Sequence, residues 1–251
     1  MTGQVYDTIG VGYAERRRPD SRIEARLRAA LGDAATVLNV GAGAGSYEPT
    51  DRTVVAVEPS AAMIAQRPAS AAPAIRAIAG ELPFPDRAFD GALVVLSVHH
   101  WPDAAAGLAD VRRVTRGPVV VFSFDYAVHA QQWLVTDYLP EMVGLDRDLP
   151  TPDAVATALG GGTVDVLPIP HDCTDGFCHA WWRRPAAYLD PGVRAAISGI
   201  ARLPAPVVDR GVAALRRDLD DGTWHRRHAA LLAETEIDGG YRLILAPGDP
   251  T

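Results

Sequence analysis

One segment near the amino terminus constrains the fold of this chain more than any other. It is a short apolar run, Thr36-Val37-Leu38-Asn39-Val40, that leads directly into Gly41-Ala42-Gly43-Ala44-Gly45. A continuous apolar run of this length is typical of a strand that is buried on both faces of a parallel sheet. Glycines after such a strand let the backbone approach a ligand closely, because glycine has no Cβ atom. The segment therefore predicts a parallel α/β sheet with a ligand site at the end of this strand.

The rest of the chain continues as an alternation of strands and helices. Strands are predicted at 53–57, 74–78, 91–97, 118–124, 163–167 and 241–246, and helices at 23–31, 60–66, 103–114, 131–139, 152–159 and, less regularly, 185–232. This alternation predicts a doubly wound α/β sheet that helices cover on both faces. We expect one domain over residues 1–251, made of an N-terminal arm and helix (1–35), a ligand-binding core (36–167), a helical cap (168–240) and a last strand with its tail (241–251).

Composition and charge exclude several classes of protein. Of the 251 residues 48% are hydrophobic and 22% are charged, as in water-soluble globular proteins. The net charge of −7 argues against a general affinity for nucleic acid or anionic membranes. No apolar run resembles a signal peptide or a membrane span, and two cysteines are too few for a disulfide framework. We therefore expect a cytoplasmic protein with neither nucleic acid nor membrane as its partner.

An acidic residue follows the glycine loop at the spacing expected for a ligand site. Glu58 ends the second predicted strand, seventeen positions after Gly41. In doubly wound sheets an acid at this place accepts hydrogen bonds from the ribose hydroxyls of an adenosine ligand. A dinucleotide-binding loop would carry its third glycine at position 46, which is Ser46 here. The pattern favours an adenosine ligand with a small amino-acid tail, and the alternative is a tight turn beside a solvated acid.

Four motifs in a fixed order resemble those of a known enzyme family. They are VLNVGAGAG (37–45), VEPSAAM (57–63), LPFPDRAFD (82–90) and SVHHW (97–101). Together they are similar to the successive motifs of class I S-adenosylmethionine-dependent methyltransferases, in the type 11 branch that includes the quinone-biosynthesis C-methyltransferases. The resemblance implies a Rossmann-like seven-stranded sheet with an antiparallel last strand, S-adenosylmethionine as the cofactor, S-adenosylhomocysteine as the product, and a small-molecule acceptor.

The resemblance also implies which residues bind the cofactor. Glu58 would hold the ribose, and Arg18, in an N-terminal arm that folds over the cofactor in similar proteins, would pair with its carboxylate; the alternative is a loose arm. Relatives usually carry an acid at the position of Ile78 or Gly80 and often one at Asn39, so this chain departs from the pattern there. The full implied set is Tyr6, Tyr13, Arg18, Gly41, Ala42, Gly43, Gly45, Glu58, Pro59, Ser60, Met63, Ala79, Gly80, Glu81, Ser97 and Val98.

Two groups of side chains are candidates for chemistry on the acceptor. His99 and His100 follow the fourth predicted strand, and a histidine with a pKa near neutral is suited to proton abstraction. The alternative is that they only shape this loop beside Trp101. The segment 171–179 holds two cysteines and two histidines, but their spacing matches no usual zinc pattern. We predict no metal site there and expect a pocket wall with small, buried thiols.

The leading hypothesis is the in-line transfer of a methyl group from a sulfonium to an oxygen, nitrogen or carbon atom of a small molecule. Such a transfer mainly requires alignment of the nucleophile and exclusion of water. The alternative is a protein that binds S-adenosylmethionine without catalysis, as a regulatory or partner-binding module. A nicotinamide-dependent dehydrogenase is disfavoured by Ser46. The cap either selects the acceptor or forms an oligomer interface.

Overall fold

The structure, a computed structural model, describes residues 17–145 and 148–248. Nine strands lie within these ranges: β1 (Thr36–Val40), β2 (Thr53–Val57), β3 (Ala74–Ile75), β4 (Gly91–Val95), β5 (Val119–Phe124), β6 (Thr163–Val166), β7 (Ile169–Pro170), β8 (Glu236–Ile237) and β9 (Tyr241–Ala246). The α-helices are α1 (Ser21–Ala30), α2 (Ala61–Ala65), α3 (Ala104–Val114), α4 (Tyr126–His129), α5 (Pro152–Ala158), α6 (Pro191–Ala195), α7 (Ser198–Ala201), α8 (Ala205–Asp220) and α9 (Thr223–Arg227).

The main sheet has seven strands in the order β3-β2-β1-β4-β5-β9-β6. The pairs among β1 to β5 are parallel, whereas β9 is antiparallel to both β5 and β6. The chain first moves outward from β1 to β3 and then returns to place β4 on the other side of β1. This reversal opens a crevice at the carboxyl ends of β1 and β4, where open α/β sheets bind their ligands. The predicted doubly wound, seven-stranded Rossmann-like fold is confirmed.

Helices cover both faces of this sheet because successive side chains of a strand point to opposite faces. One buried cluster joins the sheet to α3 and α5, and a second joins it to α1. The strand residues divide between the clusters in alternation, with Leu38, Val94 and Val121 in the first and Val37, Leu93 and Val120 in the second. Burial on both faces explains why these strands read as continuous apolar runs.

Several elements are shorter than their sequence pattern predicts. β3 ends at Ile75, since the residues that follow leave the sheet to form a cavity wall. β4 ends at Val95 because Leu96 takes a φ of 46°, which is incompatible with a strand, and a 3-10 turn follows at Val98–His100. The helix predicted at 131–139 is a π-helical turn, Leu134–Tyr138, followed by a 3-10 turn at Pro140–Gly144.

The segment between β6 and β9 forms a layer of short helices beside the sheet. β7 and β8 pair antiparallel at its base, and 3-10 turns lie at Cys178–Trp181, Pro185–Leu189 and Ala229–Ala233. The predicted helical region 185–232 is broken repeatedly, and only α8 is long. Trp133, Tyr188, Leu215 and Trp224 form the centre of a third buried cluster in this layer. Within the described residues, no helix has the length and apolar character that crossing a membrane requires.

Candidate active site

A cavity of about 620 Å³, here called the large cavity, lies at the carboxyl ends of β1, β2 and β4. This volume is within the range of about 300–1,000 Å³ that is typical of small-molecule sites. The walls come from the glycine loop, the start of α2, the segment after β3 and the turn after β4. The residues of the predicted site that line it are Gly41, Ala42, Gly43, Glu58, Pro59, Ser60, Met63, Ala79, Glu81, Ser97 and His100.

The other residues of the predicted site either lie away from the large cavity or fall outside the described residues. Gly45, Gly80 and Arg18 are outside the lining of the large cavity, and Arg18 is exposed. Val98 is buried in the core beneath α3, so its side chain does not border the cavity. His99 borders a different cavity, described below. Tyr6 and Tyr13 lie outside the described residues.

The large cavity also has walls that sequence reasoning did not identify. Most of them either lie inside the four motifs, such as Ala44 and Trp101, or lie within two positions of a predicted residue, such as Ala77. Arg17 is the direct neighbour of the predicted Arg18, whereas Arg76 carries no such signal. The lining residues outside the implied set are Arg17, Asn39, Ala44, Ser46, Val57, Arg76, Ala77, Ile78, Val95, Leu96, Trp101 and Pro102, of which Ile78 belongs to the segment that the resemblance assigns to the adenine.

Two glycines of the loop are required for different reasons. Gly41 has a φ of 71°, and a Cβ atom there would lie 2.5 Å from Cβ and Oγ of Ser97. Gly43 has a φ of 53°, and within the described residues the one atom within 4 Å of a Cβ placed there would be Cε of Met63, at 3.3 Å. Gly41 therefore allows the ends of β1 and β4 to meet, whereas Gly43 leaves open the space in the large cavity that a side chain would fill.

Glu58 connects the glycine loop to the start of α2. Its Oε2 accepts a hydrogen bond from the N–H of Gly43 at 2.8 Å, and its Oε1 accepts one from the N–H of Ser60 at 2.9 Å. Burial raises the pKa of Glu58, and these two N–H groups oppose the rise. A carboxylate oxygen has two lone pairs, so each oxygen can accept a further bond from a hydroxyl group in the large cavity.

A buried ion pair supports the loop from behind. Arg67 donates to Glu48 at 2.6 Å, and both side chains are buried. Arg67 also donates to the carbonyl oxygen of Gly43 at 3.1 Å, and Asn39 donates through Nδ2 to Glu48 at 3.0 Å. Asn39, which replaces the acid common at this position, is therefore tied to the same support and still lines the large cavity.

A second cavity of about 60 Å³, here called the small cavity, adjoins the first. The two share Arg17, Leu96 and His100 as walls. Leu96, whose φ of 46° is strained for a leucine, lies at this junction. Backbone strain of this kind is often found at functional sites. The remaining walls are mostly aromatic, imidazole and cap side chains: His99, Phe124, His129, Met142, Phe177, Cys178, Ala196, Ile197, Ser198, Gly199, Arg202 and Tyr241.

The two predicted catalytic histidines are in contact beside the junction, with their ring planes tilted by 50°. Their ring centroids are 3.8 Å apart, and the ring of His99 is 5.0 Å from that of Phe124. Desolvation and the charge of Arg202 lower the pKa of His100 to about 4, and desolvation lowers the pKa of His99 well below its usual value. Both imidazoles are therefore neutral at pH 7. A group whose conjugate acid has a pKa near 4 is a weak base.

The same pKa shifts predict a loss of stability in mild acid. In the unfolded chain His99 and His100 titrate near pH 6.5, whereas in the folded protein the pKa of His100 is about 4 and burial holds the pKa of His99 well below its usual value. Their contribution to stability is complete above about pH 6.5 and is lost as the pH falls toward 4, by about 1.4 kcal/mol per pH unit for each histidine. Urea unfolding at several pH values measures this slope. His100→Gln should reduce this slope by about 1.4 kcal/mol per pH unit, the contribution of one proton. An unchanged slope would mean that the pKa of His100 is not lowered in the folded protein.

A buried network holds Arg17 at both cavities. Arg17 donates through Nε to Oδ1 of Asp175 at 2.7 Å, and Tyr47 donates its hydroxyl hydrogen to Oδ2 of the same carboxylate at 2.9 Å. The Tyr47 oxygen accepts the N–H of Asp20 at 3.2 Å, directly before α1. The network thus joins the start of the described chain to the cap, and Arg17 takes the place at the large cavity that the sequence assigned to its neighbour Arg18.

Comparisons with known proteins agree with this arrangement. A sequence model of the family described as "Methyltransferase domain" matches residues 38–122. A solved structure from Anabaena variabilis ATCC 29413, described as a candidate methyltransferase from an antibiotic biosynthesis pathway, is 31% identical, with 92% of this chain and 98% of that chain covered and a TM-score of 0.85. A search of the curated proteins found no match.

A more distant structure shares the fold. Geranyl diphosphate C-methyltransferase from Streptomyces coelicolor A3(2), solved with S-adenosylhomocysteine, is 15% identical, with 91% of this chain and 79% of that chain covered and a TM-score of 0.51.

The large cavity fits the cofactor of such enzymes. Its volume suits an adenosine ligand with an amino-acid tail, Glu58 offers a carboxylate at the end of β2, and Gly43 leaves a cradle that a Cβ atom would fill. The identity to the Anabaena structure extends over nearly the whole of both chains. The chain therefore belongs to the type 11 branch of the class I S-adenosylmethionine-dependent methyltransferases, and S-adenosylmethionine is its cofactor.

Proposed function

We propose that this protein transfers a methyl group from S-adenosylmethionine to a small-molecule acceptor bound in the small cavity. One observation carries the proposal: the large and small cavities meet at Arg17, Leu96 and His100. A cofactor in the large cavity could therefore present its methyl group to the small cavity through this junction. The surrounding walls would exclude water, which in-line methyl transfer requires.

In this proposal the cofactor is held mainly by the glycine loop and Glu58. The carboxylate of Glu58 accepts the ribose hydroxyls, and the space beside Gly43 takes the methionine part. Pro59, Ser60 and Met63 flank the adenine. The acceptor's lone pair forms a bond to the methyl carbon while the bond between that carbon and sulfur breaks, and the bonding electrons stay on sulfur in S-adenosylhomocysteine. Ser97 and His100 line the path of this transfer.

The walls of the small cavity favour an acceptor with an anionic group. Arg202 and Arg17, of which Arg17 is already paired with Asp175, line a space that is otherwise bounded by aromatic, imidazole and small or aliphatic side chains. Guanidinium groups form strong, directional hydrogen bonds with carboxylates and phosphates. The volume of about 60 Å³ holds only a few water molecules, so a larger acceptor requires α6 and α7 of the cap to move away. The segment 168–240 then acts as a cap that selects the acceptor.

The cellular context belongs to the same proposal. A cytoplasmic protein that acts on a small molecule, with neither nucleic acid nor membrane as its substrate, fits the net charge of −7. An interface between copies through the cap remains the other role for this segment.

The experiment is to incubate the purified full-length protein with S-adenosylmethionine and a panel of small hydroxylated, aminated and thiol-bearing acids. Mass spectrometry measures an increase of one CH₂ group in the acceptor, and a coupled assay measures S-adenosylhomocysteine. Formation of both in equal amounts supports the proposal. Tight cofactor binding without turnover on any acceptor would instead favour the non-catalytic alternative.

We expect Arg202→Met to raise the KM for an anionic acceptor about tenfold or more, because the acceptor loses a charged hydrogen-bond donor. The Kd for S-adenosylmethionine should stay unchanged, since Arg202 lines only the small cavity. Arg210→Met is the matched control, because Arg210 pairs with Glu141 on the surface at 2.6 Å and borders neither cavity. Equal KM values in the two variants would remove Arg202 from the acceptor site.

A further inference from the structure

Three side chains with metal-ligating atoms meet at one wall of the small cavity. They are His129 at the end of α4 and the adjacent pair Cys178 and His179 in a 3-10 turn of the cap. Their ligand atoms all lie within 4.8 Å of one another, and all three residues are buried. The spacing within 171–179 matches no zinc pattern because one member of the cluster comes from a distant part of the chain, beyond β5.

A second observation points independently to a ligand. Nε2 of His179 is buried and, among the described residues, has no hydrogen-bond partner. Leaving a buried polar atom unsatisfied costs about 1–3 kcal/mol, so such an atom in a cluster of other donors calls for a partner. His179 is 1% exposed and His129 is 6% exposed, so water does not readily supply that partner.

Neighbouring side chains hold the 3-10 turn that carries Cys178 and His179 in place. The Tyr241 hydroxyl oxygen accepts the backbone N–H of His179 at 3.3 Å, and the ring centroids of His129 and His179 are 4.0 Å apart. Tyr188 donates its hydroxyl hydrogen to the carbonyl oxygen of Cys178 at 2.6 Å. These contacts hold the donor atoms together before any ion binds, which lowers the cost of ordering a site.

The donor set indicates the class of metal. One thiolate and two imidazoles suit zinc and related transition metals, whereas magnesium and calcium require oxygen ligands. Three protein ligands leave the fourth tetrahedral position open, as in catalytic zinc sites. We propose that His129, Cys178 and His179 form a three-ligand Zn²⁺ site whose open position faces the small cavity, because His129 and Cys178 both line that cavity.

The role that we give this Zn²⁺ site rests on the proposed function, the transfer of a methyl group to a small molecule. The open position would bind an oxygen, nitrogen or sulfur atom of the acceptor, and the charge of the ion would lower the pKa of that atom. The acceptor would then lose its proton to solvent on binding, and its lone pair would form the bond to the methyl carbon as the carbon–sulfur bond breaks. A metal-bound acceptor does not depend on His99 or His100, which are weak bases, and the acceptor atom would be a heteroatom.

The test measures metal binding directly, with neither cofactor nor acceptor present. The purified full-length protein is treated with a chelator and titrated with Zn²⁺ in competition with a chromophoric chelator. The variants are Cys178→Ser and His179→Gln, and the matched control is Cys173→Ser, because Cys173 is a buried thiol of the same segment outside the cluster. Titration with Co²⁺ adds a thiolate-to-metal absorption band that reports the sulfur ligand.

We expect about one Zn²⁺ per chain in the wild type and in Cys173→Ser, and binding at least about tenfold weaker in Cys178→Ser and His179→Gln. The Co²⁺ band should be absent in Cys178→Ser. Equal Zn²⁺ affinity in all four proteins, or no Zn²⁺ bound by the wild type, would overturn the proposal. Far-ultraviolet circular dichroism checks folding, and His129→Gln replaces any variant that fails to fold. Zn²⁺ binding without methyl transfer would count against the proposed function alone, and methyl transfer without Zn²⁺ binding against the metal site alone.

Discussion

Replacing Glu58 with glutamine is expected to weaken the binding of S-adenosylmethionine by about 1.5–3 kcal/mol, roughly 10–150-fold in Kd. The loss has two sources. The ribose hydroxyls lose a charged acceptor, and the amide nitrogen of glutamine replaces one of the two oxygens that now accept the N–H groups of Gly43 and Ser60 at 2.8 and 2.9 Å. The substitution therefore disturbs the loop as well as its contact with the cofactor.

Isothermal titration with S-adenosylmethionine and S-adenosylhomocysteine measures this effect, and both ligands should lose the same amount because they share the adenosine part. Glu24→Gln, at a half-buried position of α1 outside the lining of the large cavity, is the control and should bind as the wild type does. If Glu58→Gln bound both ligands with wild-type affinity, Glu58 would not hold the ribose, and the assignment of the large cavity to the cofactor would need another basis.

Replacing Asp175 with alanine is expected to lower the free energy of unfolding by about 3–5 kcal/mol. Asp175 is 0% exposed, and its carboxylate accepts hydrogen bonds from Arg17 and Tyr47. Without it the guanidinium group of Arg17, which is 8% exposed, would lose a buried, charge-paired contact, and the Tyr47 hydroxyl would lose its acceptor. We also expect weaker cofactor binding, because Arg17 lines the large cavity and would lose the contact that holds it there.

The matched control is Asp172→Ala, three positions earlier in the same segment. Asp172 pairs with Arg22 at 2.7 Å, but its side chain is 59% exposed, so solvent screens the pair and its loss should hardly change stability. Urea unfolding of both variants compares the two ion pairs directly. Similar unfolding free energies in the two variants would mean that the buried ion pair of Asp175 contributes no more to stability than the exposed pair of Asp172.

The sequence alone was sufficient to predict the core of the fold. Continuous apolar runs marked β1, β2 and β5, because a parallel strand is buried on both faces, and strict spacing placed Glu58 at the end of β2 beside the glycine loop. The family resemblance then predicted that the last strand is antiparallel, which the pairing of β9 with β5 and β6 confirms. The strands and the glycine loop depend on residues close together in the chain, so their periodicity and stereochemistry are visible in the sequence.

The features that depend on distant segments emerged only from the packed chain. Arg17 rather than Arg18 reaches the large cavity because Asp175, far along the chain, holds its guanidinium group. His129 joins Cys178 and His179 only because α4 and the cap pack together at the end of β5. Local sequence patterns record which face of an element is apolar, but which loops meet is decided by the packing of whole layers against each other. The small cavity and its proposed metal site are products of that packing.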